Sequence, residues 1–133
     1  DVTMAPAYPF GYGISYTTYK YGKLSLSANS MDKNGKVTAS LTVTNTGNRA
    51  GDEIVQLYIH DIAASIIRPV KELKGFKRVH LDAGESKTVE FEISEPMLKF
   101  YNADLQFVSE PGDFEIMVGP NSMDVQTLKL TLN

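Results

Sequence analysis

The stretch KVTASLTVTNTGNRAGDEIVQLYIH, residues 36–60, decides the fold class of this chain. Apolar residues alternate with polar ones on both sides of a loop rich in Asn and Gly. The apolar positions are Val37, Ala39, Leu41 and Val43 before the loop, and Val55, Leu57 and Ile59 after it. Successive side chains of a β-strand point to opposite faces, so this period buries one face and wets the other. The stretch therefore predicts two amphipathic strands.

The same alternation recurs outward from this stretch. It is clear in residues 24–28, 89–93, 114–118 and 128–132, and weaker in LKGFKRVHL at 73–81. The segments are separated by turn signals, which are Asn34-Gly35, the NTGNRAGD loop at 45–52, Ala83-Gly84, Pro111-Gly112 and Gly119-Pro120. Asn34-Gly35 is the strongest hairpin signal, and SEPMLKF at 94–100 predicts a single helical turn capped by Ser94. The pattern predicts an all-β, seven-stranded β-sandwich of the fibronectin type III or immunoglobulin kind.

The first 21 residues have a different composition. Six aromatic residues fall within residues 8–21, interspersed with Pro and Gly, and no regular period is present. We predict an extended aromatic arm at 1–21 and the sandwich at 22–133. Aromatic residues left in water would form an exposed apolar patch, so docking of the arm against protein is favoured. Stacking of its tyrosines on sugar rings is the alternative.

Composition excludes several function classes. The 13 basic and 16 acidic residues give a net charge of −3 and are interspersed, without the basic stripe that nucleic-acid binding requires. No apolar run is long enough to span a membrane, and the start DVTMAPAYPF does not resemble a signal peptide. The absence of Cys excludes disulfides and thiolate metal sites. Asp1 in place of Met leads us to expect a piece of a longer protein.

No catalytic constellation is visible in the sequence. The sequence has two histidines, His60 and His80, but no G-x-S-x-G motif that would supply a nucleophilic serine for them to activate. It also has no Gly-rich loop of the kind that binds phosphate. Aspartates are scattered over the loops without a calcium-binding motif, which makes solvated turn carboxylates the default and a calcium site the minor alternative. We assign no catalytic residue, no metal ligand and no cofactor.

Several motifs resemble the C-terminal fibronectin type III-like domain of glycoside hydrolase family 3 β-glucosidases of the bacterial periplasmic type. The blocks follow the family order and cover nearly the whole chain. They are YPFGYGISYTTY at 8–19, VTNTGNRAGDEIVQLYIHD at 43–61, RPVKELKGFKRVHLDAGESKTVEFEI at 68–93, LKFYN at 98–102 and EPGDFEIMVGPNS at 110–122. The resemblance implies a periplasmic or secreted parent enzyme.

The same resemblance implies where the chemistry lies. Family members hydrolyse β-linked glucosides with retention, using an Asp of a (β/α)₈ barrel and commonly a Glu of an α/β sandwich domain. Neither domain is present, so no catalytic residue carries over. The expected partners are those two domains of the same parent chain. The implied interdomain docking residues are Tyr8, Pro9, Phe10, Tyr12 and Tyr16 in the arm, and Arg68, Pro69 and Lys71 in a loop.

Three hypotheses for function follow. The first is a non-catalytic accessory domain that stabilises a β-glucosidase. The second is a module that binds carbohydrate or cell-wall polysaccharide, with glucan as its partner. The third is a stand-alone protein-interaction sandwich.

Overall fold

The structure is a computed structural model that describes residues 17–62, 71–101 and 104–133. Eleven strands lie within these ranges. They are β1 (Tyr19–Tyr21), β2 (Ser25–Leu26), β3 (Ser30–Met31), β4 (Lys36–Asn45), β5 (Gly51–Asp61), β6 (Glu72–Leu81), β7 (Ser86–Ser94), β8 (Phe100–Tyr101), β9 (Phe107–Val108), β10 (Gly112–Asn121) and β11 (Asp124–Leu132). The long strands correspond to the segments in which polar and apolar residues alternate.

One sheet is built around β4. Strand β7 pairs antiparallel with β4 along one side, from Lys36↔Ser94 to Thr44↔Ser86. The short strands β1 and β2 share the other side of β4, and both are antiparallel to it. The outward side chains of β4 and β7 are Thr, Ser, Lys and Glu, which is the composition expected of a face in contact with water.

The second sheet has the strand order β3-β11-β10-β5-β6. Its pairs are antiparallel except for β3 and β11, which run parallel. Strand β6 forms one edge, and the register shifts at Leu57/Tyr58, where β6 carries a bulge. A separate two-stranded hairpin is formed by β8 and β9.

The core lies between the two larger sheets. Inward side chains from every long strand meet there, together with Leu98 from the segment that follows β7. The largest fully buried side chains are Phe114, Leu57, Leu81, Ile93, Leu98, Ile116, Leu130 and Leu132. Burial of these side chains is the main force that holds the sheets together. The predicted all-β sandwich is confirmed, and the seven apolar positions of residues 36–60 are buried as predicted, whereas Ala28 of the segment 24–28 is exposed.

Local predictions fare differently. The segment 24–28 pairs only over Ser25–Leu26, and residues 19–21 of the predicted arm form β1. The hairpin signal at Asn34-Gly35 was wrong in detail: the turn connects β3 of one sheet to β4 of the other. Asp32 closes this turn, because its carbonyl accepts from Gly35 N and its Oδ1 accepts from Asn34 N. Gly35 therefore does not need a positive φ, and among the described glycines only Gly84 and Gly112 have one.

Two further local features were predicted. Gly119-Pro120 is not the turn, because β10 continues with a bulge to Asn121 and the side chain of Asn121 accepts from Met123 N and Asp124 N. The helical turn is confirmed as a 3₁₀ helix at Glu95–Leu98, with Pro in its first turn, but the Ser94 side chain makes no capping bond. Within the described ranges there is no helix long and apolar enough to cross a membrane.

Candidate interdomain surface

Most of the predicted docking residues lie outside the described residues. These are Tyr8, Pro9, Phe10, Tyr12 and Tyr16 of the arm, together with Arg68 and Pro69 of the loop. Lys71 is described, and its ammonium donates to the carbonyl of Ser122, in the turn between β10 and β11. The same ammonium lies 6.0 Å from the centroid of the Tyr58 ring, at cation–π distance. These contacts of Lys71 are made within its own domain.

The residues that follow the arm are anchored by Asn45, which is fully buried. Its Oδ1 accepts from Thr17 Oγ1 at 2.6 Å and from Gly47 N at 2.9 Å. Its Nδ2 donates to the carbonyls of Arg49 at 2.7 Å and Leu81 at 3.0 Å. A buried amide with all four bonds made is strongly oriented. Asn45 therefore fixes the point at which the chain enters the sandwich.

A second polar contact crosses the inside of the sandwich. The Tyr21 hydroxyl, from β1, donates to Glu53 Oε2, from β5, at 2.9 Å. Burial raises the pKa of Glu53. Burial, followed by the charge of Glu53, raises the pKa of Tyr21. The Tyr21 hydroxyl therefore keeps its proton and can donate it to Glu53. This hydrogen bond connects β1 of the first sheet to β5 of the second sheet.

The two histidines lie against carboxylates on the outer face of the second sheet. His60 Nδ1 lies 2.7 Å from Glu115 Oε1, on the neighbouring strand. Its Nε2 is buried and has no hydrogen-bond partner within the described part of the chain. His60 does face away from Val55, Leu57 and Ile59, as the alternation predicts. In the described hydrogen bonds, the rings of the two histidines are partnered by carboxylates.

His80 belongs to a charged cluster with Asp52. Asp52 accepts from His80 Nδ1 at 2.7 Å and from Arg78 Nε at 2.8 Å, and Asp82 lies 3.4 Å from His80 Nε2. The hydrogen bonds from His80 and Arg78 hold the pKa of Asp52 below its usual range. The bond to Asp52 in turn raises the pKa of His80.

In the part of the chain that the structure describes, the remaining carboxylates do not assemble into a larger site. The hydrogen bond from Thr131 lowers the pKa of Asp113, which also lies 3.5 Å from Lys129. Among the residues the structure describes, no group of three or more His, Asp and Glu side chains could hold a metal ion.

An open groove of about 380 Å³ lies between β1 and the turn from β10 to β11. Gln126 lines it, but both ends of this amide are bonded to the main chain, at Leu24 N and Gly22 O. The side chain of Gln126, in β11, thus links the second sheet to the segment between β1 and β2 of the first sheet.

Exposed apolar side chains form a feature that the sequence analysis did not single out. Leu73 and Phe76 of β6 are 52% and 62% exposed. On the β8–β9 hairpin, Tyr101 and Phe107 are 65% and 50% exposed, with ring centroids 5.0 Å apart. Singly exposed apolar residues are ordinary, but clustered ones mark interaction surfaces.

Comparison with known proteins identifies the domain type. A sequence model described as a fibronectin type III-like domain matches residues 53–122, which is more than half of the chain. The chain belongs to the fibronectin type III-like family. This Fn3-like domain is 48% identical over 126 residues to a periplasmic β-glucosidase of Salmonella typhimurium, an alignment that covers 95% of the domain and 16% of that protein. It is 50% identical over 129 residues to a β-xylosidase of Formosa agariphila, covering 96% and 18%.

Solved structures agree with these relatives. The Fn3-like domain superposes on a β-glucosidase from Erythrobacter marinus with a TM-score of 0.84 and 42% identity, covering 95% of the domain and 17% of that chain. A β-glucosidase from Listeria innocua in complex with isofagomine gives 0.82 and 42%, covering 96% and 18%. The resemblance to the Fn3-like domain of family 3 β-glucosidases is confirmed. The domain spans about one sixth of the length of these proteins.

Proposed function

We propose that this Fn3-like domain is the non-catalytic accessory domain of a retaining β-glucosidase and that it stabilises the catalytic domains by docking against them. One observation carries the proposal: the similarity extends over 95–96% of the domain but only 16–18% of the related enzymes. The domain thus aligns as a unit, and the rest of such an enzyme is other polypeptide. The parent hydrolyses β-linked glucosides and is periplasmic or secreted, as the name of one relative suggests.

The docking surface in this proposal includes the arm and the loop. Tyr8, Pro9, Phe10, Tyr12 and Tyr16 provide apolar rings with hydroxyls that can find partners, which suits an interface. Arg68 would bind a carboxylate on the catalytic body through its fork of donors. Pro69 and Lys71 complete the proposed docking loop. The hydrogen bond from Lys71 to the Ser122 carbonyl and the position of its ammonium near the Tyr58 ring fix Lys71 just before β6, which supports the proposal.

The first test is enzymatic. The 133-residue chain, incubated with p-nitrophenyl β-D-glucoside, is expected to release no nitrophenol above the buffer rate. Turnover that persists after repurification would show a catalytic site within the domain and overturn the proposal. Sequencing upstream of Asp1 is a second test: a barrel domain and an α/β domain are expected there. Their absence would favour a stand-alone interaction sandwich.

A third test concerns stabilisation. In the full-length parent enzyme, the double variant Tyr12→Ala/Tyr16→Ala is expected to lower the melting temperature by about 2 °C or more, because apolar area buried at the interface is lost. Thr42→Ala, an exposed position on the first sheet, is the control. An unchanged melting temperature in the double variant would contradict docking by the arm.

Polysaccharide binding is a second candidate function, and the exposed Tyr101–Phe107 pair favours it. Aromatic faces can stack on sugar rings, although these two planes are tilted by 42° and do not form one flat platform. Affinity electrophoresis in soluble β-glucan tests this function. Retardation that is lost in Tyr101→Ala would support it, and equal mobility with and without glucan would exclude it.

A further inference from the structure

An apolar patch lies on the outer face of the β5–β6 pair, where Leu73 and Phe76 are both more than half exposed. The strand register places Leu73 opposite Tyr58 and Phe76 opposite Gln56. The bulge at Leu57/Tyr58 separates Leu73 from Phe76 by three positions and still leaves both on the outer face. We call Leu73, Phe76 and Tyr58 the β6 patch.

The β6 patch rests on a fixed base. The Tyr58 hydroxyl donates to Gln56 Oε1 at 2.6 Å, so the ring cannot swing away without breaking this bond. The Lys71 ammonium is held near the same ring by its bond to the Ser122 carbonyl. The anchored Tyr58 ring therefore loses little side-chain entropy when a partner covers it.

A charged rim borders the β6 patch. Further along the same face, Asp52 pairs with Arg78 at 2.7 Å and with His80 at 2.7 Å. An apolar centre with a polar, partly exposed border is the usual anatomy of a protein–protein interface.

The opposite outer face of the sandwich differs. There β4 and β7 present Thr38, Ser40, Thr42 and Thr44 beside Ser86, Thr88, Glu90 and Glu92, without a large apolar side chain. The domain therefore has one outer face with exposed apolar side chains and one polar outer face, which we call the wetted face. A partner would therefore approach from the side of the second sheet.

We propose that the β6 patch docks against another domain of the same polypeptide. This inference rests on the proposed function. The related enzymes are five to six times as long as this domain, since it covers 16–18% of them. The patch also adjoins Lys71, which borders the loop in which Arg68 and Pro69 are proposed to dock.

The size of the patch favours a partner in the same chain. Stable association of separate proteins needs about 1,000 Å² or more of buried surface, which the exposed parts of two or three side chains do not supply. Linked domains face each other at an effective concentration in the millimolar range, so a small anchor suffices. Contacts between domains of one chain are also more polar than permanent interfaces, which fits the charged rim.

The experiment compares two proteins carrying the same substitutions. The double variant Leu73→Ser/Phe76→Ser is made in the full-length parent enzyme and in the 133-residue chain, with Thr42→Ala/Thr88→Ala on the wetted face as matched control. In the isolated chain the patch is exposed, so the melting temperature should change by less than about 1 °C. In the parent enzyme it should fall by about 2 °C or more, while the control leaves both proteins unchanged.

Each other outcome has a distinct meaning. Equal shifts in both proteins would assign the two side chains to the fold of the domain itself and overturn the inference. If deletion of the whole domain destabilises the parent but the double variant does not, the proposed function stands and this inference alone fails. Sedimentation that shows a dimer of the isolated chain, dissociated by the double variant, would overturn it in favour of a second copy. Retardation in β-glucan that depends on Phe76 would overturn it in favour of a sugar.

Discussion

The hydroxyl of Tyr21 lies 2.9 Å from Oε2 of Glu53, and this hydrogen bond joins the two sheets of the sandwich. Both groups are partly buried, so a variant that removes the hydroxyl leaves a carboxylate with poorer solvation. We expect Tyr21→Phe to lower the free energy of unfolding by about 1–2 kcal/mol, measured by urea denaturation. Tyr101→Phe, on the exposed hairpin, is the control and should stay within about 0.5 kcal/mol of the parent.

The same pair gives a pH dependence. Because the pKa of Glu53 is raised in the folded state, its contribution to stability is complete below the pKa of an unfolded Glu, about 4.3. That contribution is lost as the pH rises through the higher folded value. Glu53→Gln has no titrating group, so the parent should lose stability relative to this variant as the pH rises above about 4.3. Urea denaturation at each pH unit measures the difference, and a constant difference would contradict the burial of the carboxyl.

Asn45 is expected to be the most sensitive polar position of the fold. Asn45→Ala removes four hydrogen bonds and leaves the carbonyls of Arg49 and Leu81 without their side-chain donor. Loss of buried bonds of this kind should lower the free energy of unfolding by about 3 kcal/mol. Asn48→Ala, three residues away and exposed, should change it by less than about 0.5 kcal/mol. Similar effects at the two positions would refute the role assigned to Asn45.

The Asp52–His80 bond is accessible to titration. Because this bond raises the pKa of His80, Asp52→Asn should shift the titration of the His80 ring to lower pH, followed by NMR of its ring protons. Asp32→Asn, in a distant turn, should leave the curve of His80 in place. A curve unchanged by Asp52→Asn would mean that the bond does not form in solution.

Gly84 has a φ of +76° and follows Asp82 in the turn between β6 and β7. An added Cβ would meet no atom within 4 Å, so only backbone strain opposes a side chain there. Gly84→Ala should cost about 1 kcal/mol of stability, and Gly84→Asn less, because Asn tolerates the left-handed region. Equal costs for the two variants would argue against strain as the cause.

The main strands could be predicted from the sequence because alternation survives wherever one face of a strand is buried. Val37 to Val43 and Phe114 to Val118 carry that signal directly, and both lie in the core. Turns were harder, since a turn depends on how the flanking strands leave their sheets. At residues 32–35 the side chain of Asp32 closes the turn, and at 119–124 the Asn121 amide moves it beyond Gly119-Pro120.

Contacts between sheets were not predictable in the same way. Tyr21 was assigned to the arm by its composition, although its hydroxyl reaches Glu53, 32 residues away. The β6 patch was not predicted, because polar and apolar residues alternate only weakly in 73–81. The bulge in β6 also reverses the order in which residues before and after it face the core. Asn45 was counted only as a turn residue. Its position just after Val43 at the end of an alternating run was the signal available.

The parallel pairing of β3 with β11 brings Ser30–Met31 against Thr131–Leu132, about a hundred positions apart in the chain. A ribosome releases residues in order, so during synthesis β3 must wait as an unpaired edge until β11 has left the exit tunnel. The five-stranded sheet closes last at this seam. A truncated chain that lacks β11 would expose two bare edges, those of β3 and β10, and such edges recruit other chains. Exit of β11 from the ribosome therefore separates a growing chain with bare edges from one whose edges are paired.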